Sequence, residues 1–204
     1  VSPLVMSRAF GDANPSDKIT VGAIGIAGRG RYILNAFLQY SDVKVVAVCD
    51  VFADRRNRAK QMVDEHYGND DCAAYIDARE LIARPDIDAV MIATGDNNHA
   101  PLSILAARAG KDIYCEKPMS VTIAESRAVS DAVRHNGRIF QCGTQRRNVG
   151  NFVLAVELAR SGALGEIQTV YAEKAWPDSN IYYGVLPEEP LPPYEEMAWD
   201  LWLG

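Results

Sequence analysis

The strongest constraint on the fold is the way short apolar runs alternate with amphipathic segments between residues 18 and 143. Each run is apolar throughout, which is typical of parallel strands that are buried on both faces. The segments between the runs have helical spacing, as in Ile33, Leu34, Phe37 and Leu38. Short right-handed crossovers then predict an α/β chain with a doubly wound parallel sheet. The apolar runs are KITVGAIG, VKVVAVCD, IDAVMIAT, KDIYCE and RIFQCG, with a short segment AAYI after the second.

The periodic pattern breaks near residues 146–151, and a helix, a turn and a strand are predicted up to residue 176. Residues 177–193 carry five prolines and predict a loop too long to be a simple connector, so we expect it to be functional. Residues 1–17 predict either a flexible tail or the remnant of an export leader, which leaves cytoplasmic and exported locations open. We therefore expect a nucleotide-binding domain at 18–145 and the start of an incomplete second α/β domain at 146–204.

The composition argues against several other classes of protein. The net charge of −6 gives no footprint for nucleic acid, and no apolar run is long enough to span a membrane. The cluster of Arg55, Arg56, Arg58 and Lys60 is interspersed with acids and predicts a solvated helix face. The four cysteines lack the spacing of a metal or redox motif, so we expect free thiols and no metal site.

A glycine-rich segment, GIAGRG, follows the first predicted strand at residues 25–30. The dinucleotide-binding fingerprint is G-x-G-x-x-G between a strand and a helix. Gly25 and Gly30 fit it, while Ala27 stands where the middle glycine lets the backbone approach a pyrophosphate. Gly28 can compensate for Ala27. By itself the segment is also compatible with an ordinary glycine-rich turn.

Asp50 ends the second predicted strand, 20 residues after Gly30. A carboxylate at this place can accept hydrogen bonds from the adenosine ribose and would repel a 2′-phosphate, which favours NAD over NADP. Arg55 and Arg56 are close enough in sequence to keep NADP open. A capping role for Asp50 at the start of the next helix is the alternative.

Two later strand ends also carry candidate site residues. His99 lies near the start of the helix after IDAVMIAT, where either a ligand contact or an ordinary surface or capping position is possible. Glu116 and Lys117 end the run KDIYCE, and Pro118 can fix the turn, through a cis peptide or otherwise. An acid there can bind a ribose and a lysine can hold a substrate oxygen. The alternative is a surface ion pair beside a turn proline.

In this order, VGAIGIAGRGR, Asp50, Thr94–His99, CEKPMS and CGTQRR resemble the glucose–fructose oxidoreductase / inositol dehydrogenase / MocA family. The resemblance runs from about residue 18 to residue 204 and includes AWDLWLG. It implies a Rossmann domain followed by an α/β domain with a large open sheet. It also implies NAD(P) as cofactor, a sugar or polyol as substrate, and a homo-oligomer.

The resemblance assigns roles to individual residues. The loop Gly25–Gly30, with Ala27, Gly28 and Arg29, would cradle the pyrophosphate, and Asp50 would hold the adenosine ribose. Thr94 and His99 would line the cofactor cleft. Glu116 would face the nicotinamide ribose, and Lys117 would lie beside the reacting carbon as the catalytic residue. Gln145 and Arg146 would close the site.

The chain also departs from the family. Ala27 replaces a glycine, and Gly95 and Asn98 replace a proline and an aromatic residue of many relatives. No candidate for the family's acid/base histidine follows Gly143, so we expect the chain to carry the cofactor half of the site and to be inactive alone. Three functions remain open: a sugar or polyol dehydrogenase, an NAD-dependent glycoside hydrolase, and a non-catalytic dinucleotide-binding protein.

Overall fold

The computed structural model describes residues 18–171 and 190–204. The tail or leader remnant predicted at 1–17 and most of the proline-rich loop lie outside the described residues. Within them, the residues up to Gly143 form one compact unit together with Pro193–Gly204, and those from Thr144 to Pro192 form a second. No helix in the described ranges is both long and apolar enough to cross a membrane.

The first unit is built on a six-stranded sheet whose paired strands all run parallel. Its spatial order, β3-β2-β1-β4-β5-β6, reverses direction between β1 and β4. This is the order of a doubly wound Rossmann sheet, so the predicted fold class is confirmed. The strands are β1 Ile19–Ile24, β2 Val43–Cys49, β3 Ala73–Tyr75, β4 Ala89–Ile92, β5 Asp112–Glu116 and β6 Phe140–Gly143.

Helices cover both faces of the sheet, because the central strands point apolar side chains to both sides. Val90 and Ile92 of β4 belong to one buried cluster, whereas Met91 belongs to the other. Helices α3, α4 and α5 pack on the first face, and α1 and α2 on the second. Their bounds are α1 Gly28–Leu38, α2 Ala53–Tyr67, α3 Ala78–Ile82, α4 Asp96–Arg108 and α5 Ile123–His135.

The ends of two helices follow ordinary capping rules. Thr122 and Glu125 form a capping box at the start of α5. Gly110, after α4, has a φ of +76°, a left-handed conformation that glycine adopts without strain. All four cysteines are free thiols, as their apolar surroundings predicted.

In the second unit, a 3₁₀ turn at Gln145–Asn148 precedes helix α6, Gly150–Arg160. The described residues 161–171 form turns and irregular chain and contain no strand, and the rest of the strand predicted up to residue 176 lies outside the described residues. A strand exists only through pairing, and no neighbouring strand among the described residues pairs with this segment.

Residues 193–204 end in a short helix, α7 Trp199–Leu203, and pack on the first unit rather than the second. Phe52 and Met197 form an isolated antiparallel bridge that ties this segment to the start of α2. The prediction had assigned the segment to the second domain. The division of the chain into domains at residue 145 stays a prediction.

Candidate functional site

The glycine-rich loop between β1 and α1 is a tight turn that admits no side chain at two positions. Gly25 has a φ of +82°, and a Cβ atom there would lie 2.7 Å from the Ala93 carbonyl group. A Cβ on Gly30 would lie 1.8 Å from the Gly25 oxygen, so α1 can approach β1 this closely only with glycine. A Cβ on Gly28, in contrast, would meet no atom within 4 Å. The loop therefore leaves open space over its centre.

Helix α1 begins at this open space without a side-chain cap. Ala27 is its N-cap residue and makes no side-chain capping bond, and no acid stands in the first turn. The N–H groups of a first turn lack intrahelical acceptors and carry the positive end of the helix dipole. The start of α1 is thus suited to an anion such as a phosphate.

Asp50 connects the end of β2 to the glycine-rich loop. It is buried, its Oδ2 accepts the Ile26 N–H at 2.7 Å, and its Oδ1 accepts the Phe52 N–H at 2.9 Å. Phe52, not Asp50, is the N-cap residue of α2, so the capping alternative for Asp50 is wrong. The carboxylate fixes the loop and also lines the cavity beside it.

A cavity of about 290 Å³ opens at the carboxyl edge of the sheet. Of the predicted site residues, Gly25, Ala27, Asp50 and Thr94 line it, from the ends of β1, β2 and β4. This volume is at the lower end of the range for small-molecule pockets, roughly 300–1,000 Å³. It suits part of a dinucleotide rather than the whole.

Two arginines of the cavity wall are held by neighbouring side chains. The Arg55 guanidinium lies 3.8 Å from the centre of the Phe52 ring. Arg79 Nε lies 2.8 Å from Asp77 Oδ2, and this hydrogen bond holds the pKa of Asp77 below its usual range. Arg55 is exposed, as predicted for a solvated helix face, and it also lines the cavity. Arg56 is only partly exposed, and its Nη1 donates to the Asp50 carbonyl at 2.8 Å.

Glu116 and Arg29 form a second cluster on the glycine-rich loop. Glu116 is buried at the end of β5, and its Oε1 lies 3.2 Å from Arg29 Nε. Its Oε2 accepts the Lys117 N–H at 3.2 Å, and the Lys117 side chain is exposed. The alternative of a surface ion pair is wrong for Glu116, because this carboxylate is buried and pairs with the loop arginine.

His99 lies behind the Glu-Lys-Pro turn rather than on the cavity wall. Its ring is 1% exposed, and Nδ1 lies 2.6 Å from the Pro118 carbonyl oxygen. Because a carbonyl can only accept, Nδ1 carries the proton of this bond. The Lys117–Pro118 peptide is cis, one of the forms that the sequence allowed. In this structure His99 supports the turn and lines no part of the cavity.

The fold and these strand-end residues agree with a comparison to known families. The family model described as "Oxidoreductase family, NAD-binding Rossmann fold", GFO_IDH_MocA, matches residues 19–144. The chain belongs to the Gfo/Idh/MocA oxidoreductase family. The resemblance drawn from the sequence is thereby confirmed.

Individual relatives in the Gfo/Idh/MocA family match most of this chain, but this chain spans less than half of each relative's length. An inositol 2-dehydrogenase of Salmonella paratyphi B is 33% identical over 150 residues, 72% of this chain and 43% of that protein. A glycosyl hydrolase family 109 protein of Saccharopolyspora erythraea is 30% identical over 74% of this chain and 34% of its own length. The crystal structure of a probable dehydrogenase from Thermotoga maritima matches with a TM-score of 0.64 at 30% identity, covering 72% and 42% of the two chains.

Gln145 and Arg146, which the Gfo/Idh/MocA resemblance assigned to the site, lie in the 3₁₀ turn of the second unit. There the Arg146 guanidinium lies 5.1 Å from the centre of the Phe152 ring. Their role in closing the site stays a prediction. Among the described residues, no group of three or more His, Cys, Asp and Glu side chains is placed to hold a metal ion.

Sequence reasoning missed two parts of the cavity wall of this Gfo/Idh/MocA chain. Asp77 and Arg79 follow β3, a strand of three residues that is too short to give a clear periodic signal. The rule that ligands bind beyond the carboxyl ends of strands could have found them. Asp200 and Trp202 come from the distant end of the chain, and no local pattern predicts their position.

Proposed function

We propose that this chain is the cofactor-binding part of an NAD-dependent oxidoreductase that acts on a sugar, a polyol or a derivative by hydride transfer. The observation that carries the proposal is the arrangement around the glycine-rich loop. Gly25 and Ala27 of this loop line the cavity together with Asp50 and Thr94. Arg29 of the same loop pairs with Glu116, which precedes Lys117. One loop thus contacts both a nucleoside-sized pocket and the acid next to the lysine.

The residues present fit a dinucleotide. The uncapped start of α1 and the open space over Gly28 suit a pyrophosphate, in spite of Ala27. Asp50 retains acceptor capacity after its two backbone bonds, because an ionised carboxylate has about four lone-pair sites. It can therefore hold ribose hydroxyls while it fixes the loop.

The charges at the cavity favour NAD over NADP. Three carboxylates, those of Asp50, Asp77 and Asp200, line it together with two guanidinium groups. One of these groups is paired with Asp77 and the other lies over Phe52. A 2′-phosphate would add negative charge beside Asp50 and would need one of the arginines to leave its present partner.

The second cluster would serve the reacting end of the cofactor. NAD supplies the hydride acceptor at its nicotinamide ring when it is bound. Lys117, exposed beyond Glu116, would hold a substrate hydroxyl or carbonyl oxygen by charge and hydrogen bonding. Glu116, fixed by Arg29 and the Lys117 N–H, would accept from the nicotinamide ribose.

Similarity to inositol dehydrogenases favours a cyclic polyol or a sugar as substrate. The test is a turnover assay of the natural protein with NAD and a panel that includes myo-inositol, followed by absorbance of NADH. Accumulation of NADH with a polyol is the expected result, and Lys117→Ala should abolish it while NADH binding is retained. Unchanged turnover in that variant would remove Lys117 from the mechanism. We also propose a homo-oligomer, which light scattering on the same sample would test.

A second candidate is glycoside cleavage with a retained NAD. It is favoured by the similarity to a glycosyl hydrolase family 109 protein, which covers 74% of this chain. The same assay separates the two functions. A hydrolase would release sugar from a glycoside without net accumulation of NADH, whereas a dehydrogenase would accumulate NADH with free polyol. NADH binding with neither activity would favour the non-catalytic alternative.

A further inference from the structure

Residues 193–204, called the strap below, run along the carboxyl edge of the sheet. Two main-chain hydrogen bonds fix the first half of the strap beside β2. The Ala53 N–H donates to the Glu196 carbonyl at 2.9 Å, and the Ala198 N–H donates to the Val51 carbonyl at 3.1 Å. Ala198 is fully buried. The first half of the strap is therefore anchored where Asp50 ends β2.

The second half of the strap is held from α4. Asn97 Nδ2 donates to the Leu203 carbonyl at 2.9 Å, and Asn98 Nδ2 donates to the Trp202 carbonyl at 3.2 Å. Because the side-chain amides of α4 donate to main-chain oxygens of the strap, a substitution of a strap side chain does not remove these hydrogen bonds. Anchors at both ends fix the residues between them over the cavity.

The anchored strap presents Asp200, Leu201 and Trp202 to the cavity. The Trp202 indole stacks on that of Trp199, with ring centroids 4.9 Å apart and planes 14° apart. Trp199 itself does not line the cavity. The ring that faces the cavity is thus supported from behind by a second ring.

We propose that the strap is a wall of the adenosine pocket and that Trp202 contacts the adenine ring of the cofactor. This inference rests on the proposed function. The cavity lies at the ends of β1, β2 and β4, with Asp50 in its wall, and in a doubly wound fold the acid at the end of the second strand holds the adenosine ribose. Ile76, Leu102 and Trp202 give it apolar surfaces that suit a purine. An aromatic ring can stack on a base without hydrogen-bond readout.

The test compares Trp202→Ala with Leu203→Ala by calorimetric titration of NADH, ADP-ribose and nicotinamide mononucleotide. Leu203 is the neighbouring residue on α7, is 56% exposed and does not line the cavity, so it is a matched control. Trp202→Ala should weaken the binding of NADH and of ADP-ribose by the same factor of about 5 or more, as expected for the loss of one stacked base. Its affinity for nicotinamide mononucleotide should be that of the wild type. Leu203→Ala should match the wild type for all three.

Asn97→Ala gives a second test that leaves the indole in place. Asn97 does not line the cavity, so a loss of ADP-ribose affinity in this variant would come from release of the strap. The expected loss is smaller than that of Trp202→Ala and should again spare nicotinamide mononucleotide. Thermal unfolding of each variant shows whether a general loss of folding accounts for the change.

The outcomes separate this inference from the proposed function. If the wild-type chain binds ADP-ribose and Trp202→Ala binds it equally well, the strap is no part of the pocket and the inference is wrong. If Trp202→Ala binds more tightly, the strap obstructs the pocket, which also contradicts the inference. If the wild-type chain binds neither NADH nor ADP-ribose, the proposed function fails and the inference fails with it.

Discussion

Arg29 Nε lies 3.2 Å from Glu116 Oε1, so the glycine-rich loop is tied to the end of β5 across the topological switch point. The Glu116 side chain is 5% exposed and that of Arg29 is 44% exposed. Solvent therefore screens one partner of the pair but not the other. The pair connects the glycine-rich loop to the Glu-Lys-Pro turn.

A double-mutant cycle measures what this pair contributes to stability. Arg29→Met leaves a buried carboxylate without its charged partner, and we expect a loss of about 1 kcal/mol, moderated because the arginine is half exposed. Glu116→Gln removes the charge, and the double variant should lose less than the sum of the two. Strictly additive losses in urea unfolding would show that the two side chains do not interact in solution.

His99 is predicted to stabilise the Glu-Lys-Pro turn through Nδ1. His99→Leu leaves the Pro118 carbonyl without this donor and should cost about 1–3 kcal/mol in the free energy of unfolding. His99→Asn places an amide near the position of Nδ1 and should recover part of that loss. The check is urea unfolding of both variants. Equal stabilities would mean that the 2.6 Å contact contributes nothing as a hydrogen bond.

The thiols should be almost inert in the folded chain. Burial raises the pKa of Cys72 and of Cys115 to about 12, and it also raises the pKa of Cys49 and, less strongly, of Cys142. A thiol with a pKa near 12 is ionised only to about one part in 10⁴ at pH 8, and the thiolate is the reactive form. Only Cys142, which is partly exposed, should react slowly with a disulfide reagent.

Counting thiols with and without denaturant checks this expectation. In denaturant, four thiols per chain should react with the reagent, because the sequence has four cysteines and all are free. In the folded chain, no more than one thiol should react over the same time. Rapid reaction of two or more thiols in the folded chain would contradict the buried environments of Cys49, Cys72 and Cys115.

Thr20 and Asp88 predict a pH-dependent contribution to stability. Thr20 Oγ1 lies 2.6 Å from Asp88 Oδ2, and this hydrogen bond, with that from the Thr20 N–H, lowers the pKa of Asp88 below 3.8. A carboxyl with a lowered folded pKa stabilises the fold above its unfolded pKa, and this stabilisation is lost as the pH falls through the folded value.

Thr20→Val should therefore destabilise the chain at pH 7 but much less at pH values below the folded pKa of Asp88. The difference at pH 7 should be at most about 1 kcal/mol, because Asp88 is exposed to solvent. Thr20→Ser keeps the hydroxyl and should follow the wild type across the range. A Thr20→Val deficit that stays constant with pH would assign the effect to packing instead.

Much of the fold could be predicted from the sequence because the signal is local and repeated. Continuous apolar strands such as VKVVAVCD between amphipathic helices leave few arrangements other than a parallel sheet covered on both faces. The positions of Asp50 and Glu116 at strand ends followed from the same pattern, since all parallel strands end at one edge.

What could not be predicted depends on contacts between distant residues. Asp50 Oδ2 accepts the Ile26 N–H, and Asn97 binds the main chain of Leu203, 106 positions further along. Nothing in the local periodicity of either segment specifies its partner. The position of His99 after a central strand predicts a place at the cleft. In the structure His99 lies in the first turn of α4, and its ring contacts the Pro118 carbonyl oxygen instead.

The central claim is that the chain holds NAD through the glycine-rich loop and Asp50, and parallel fluorescence titrations with NADH and NADPH test it most directly. The account predicts that both titrations saturate and that NADH binds more tightly, with Arg55→Ala leaving that preference unchanged. Tighter binding of NADPH that is lost in Arg55→Ala would contradict the role given to Asp50. No binding of either nucleotide would contradict the cofactor site itself.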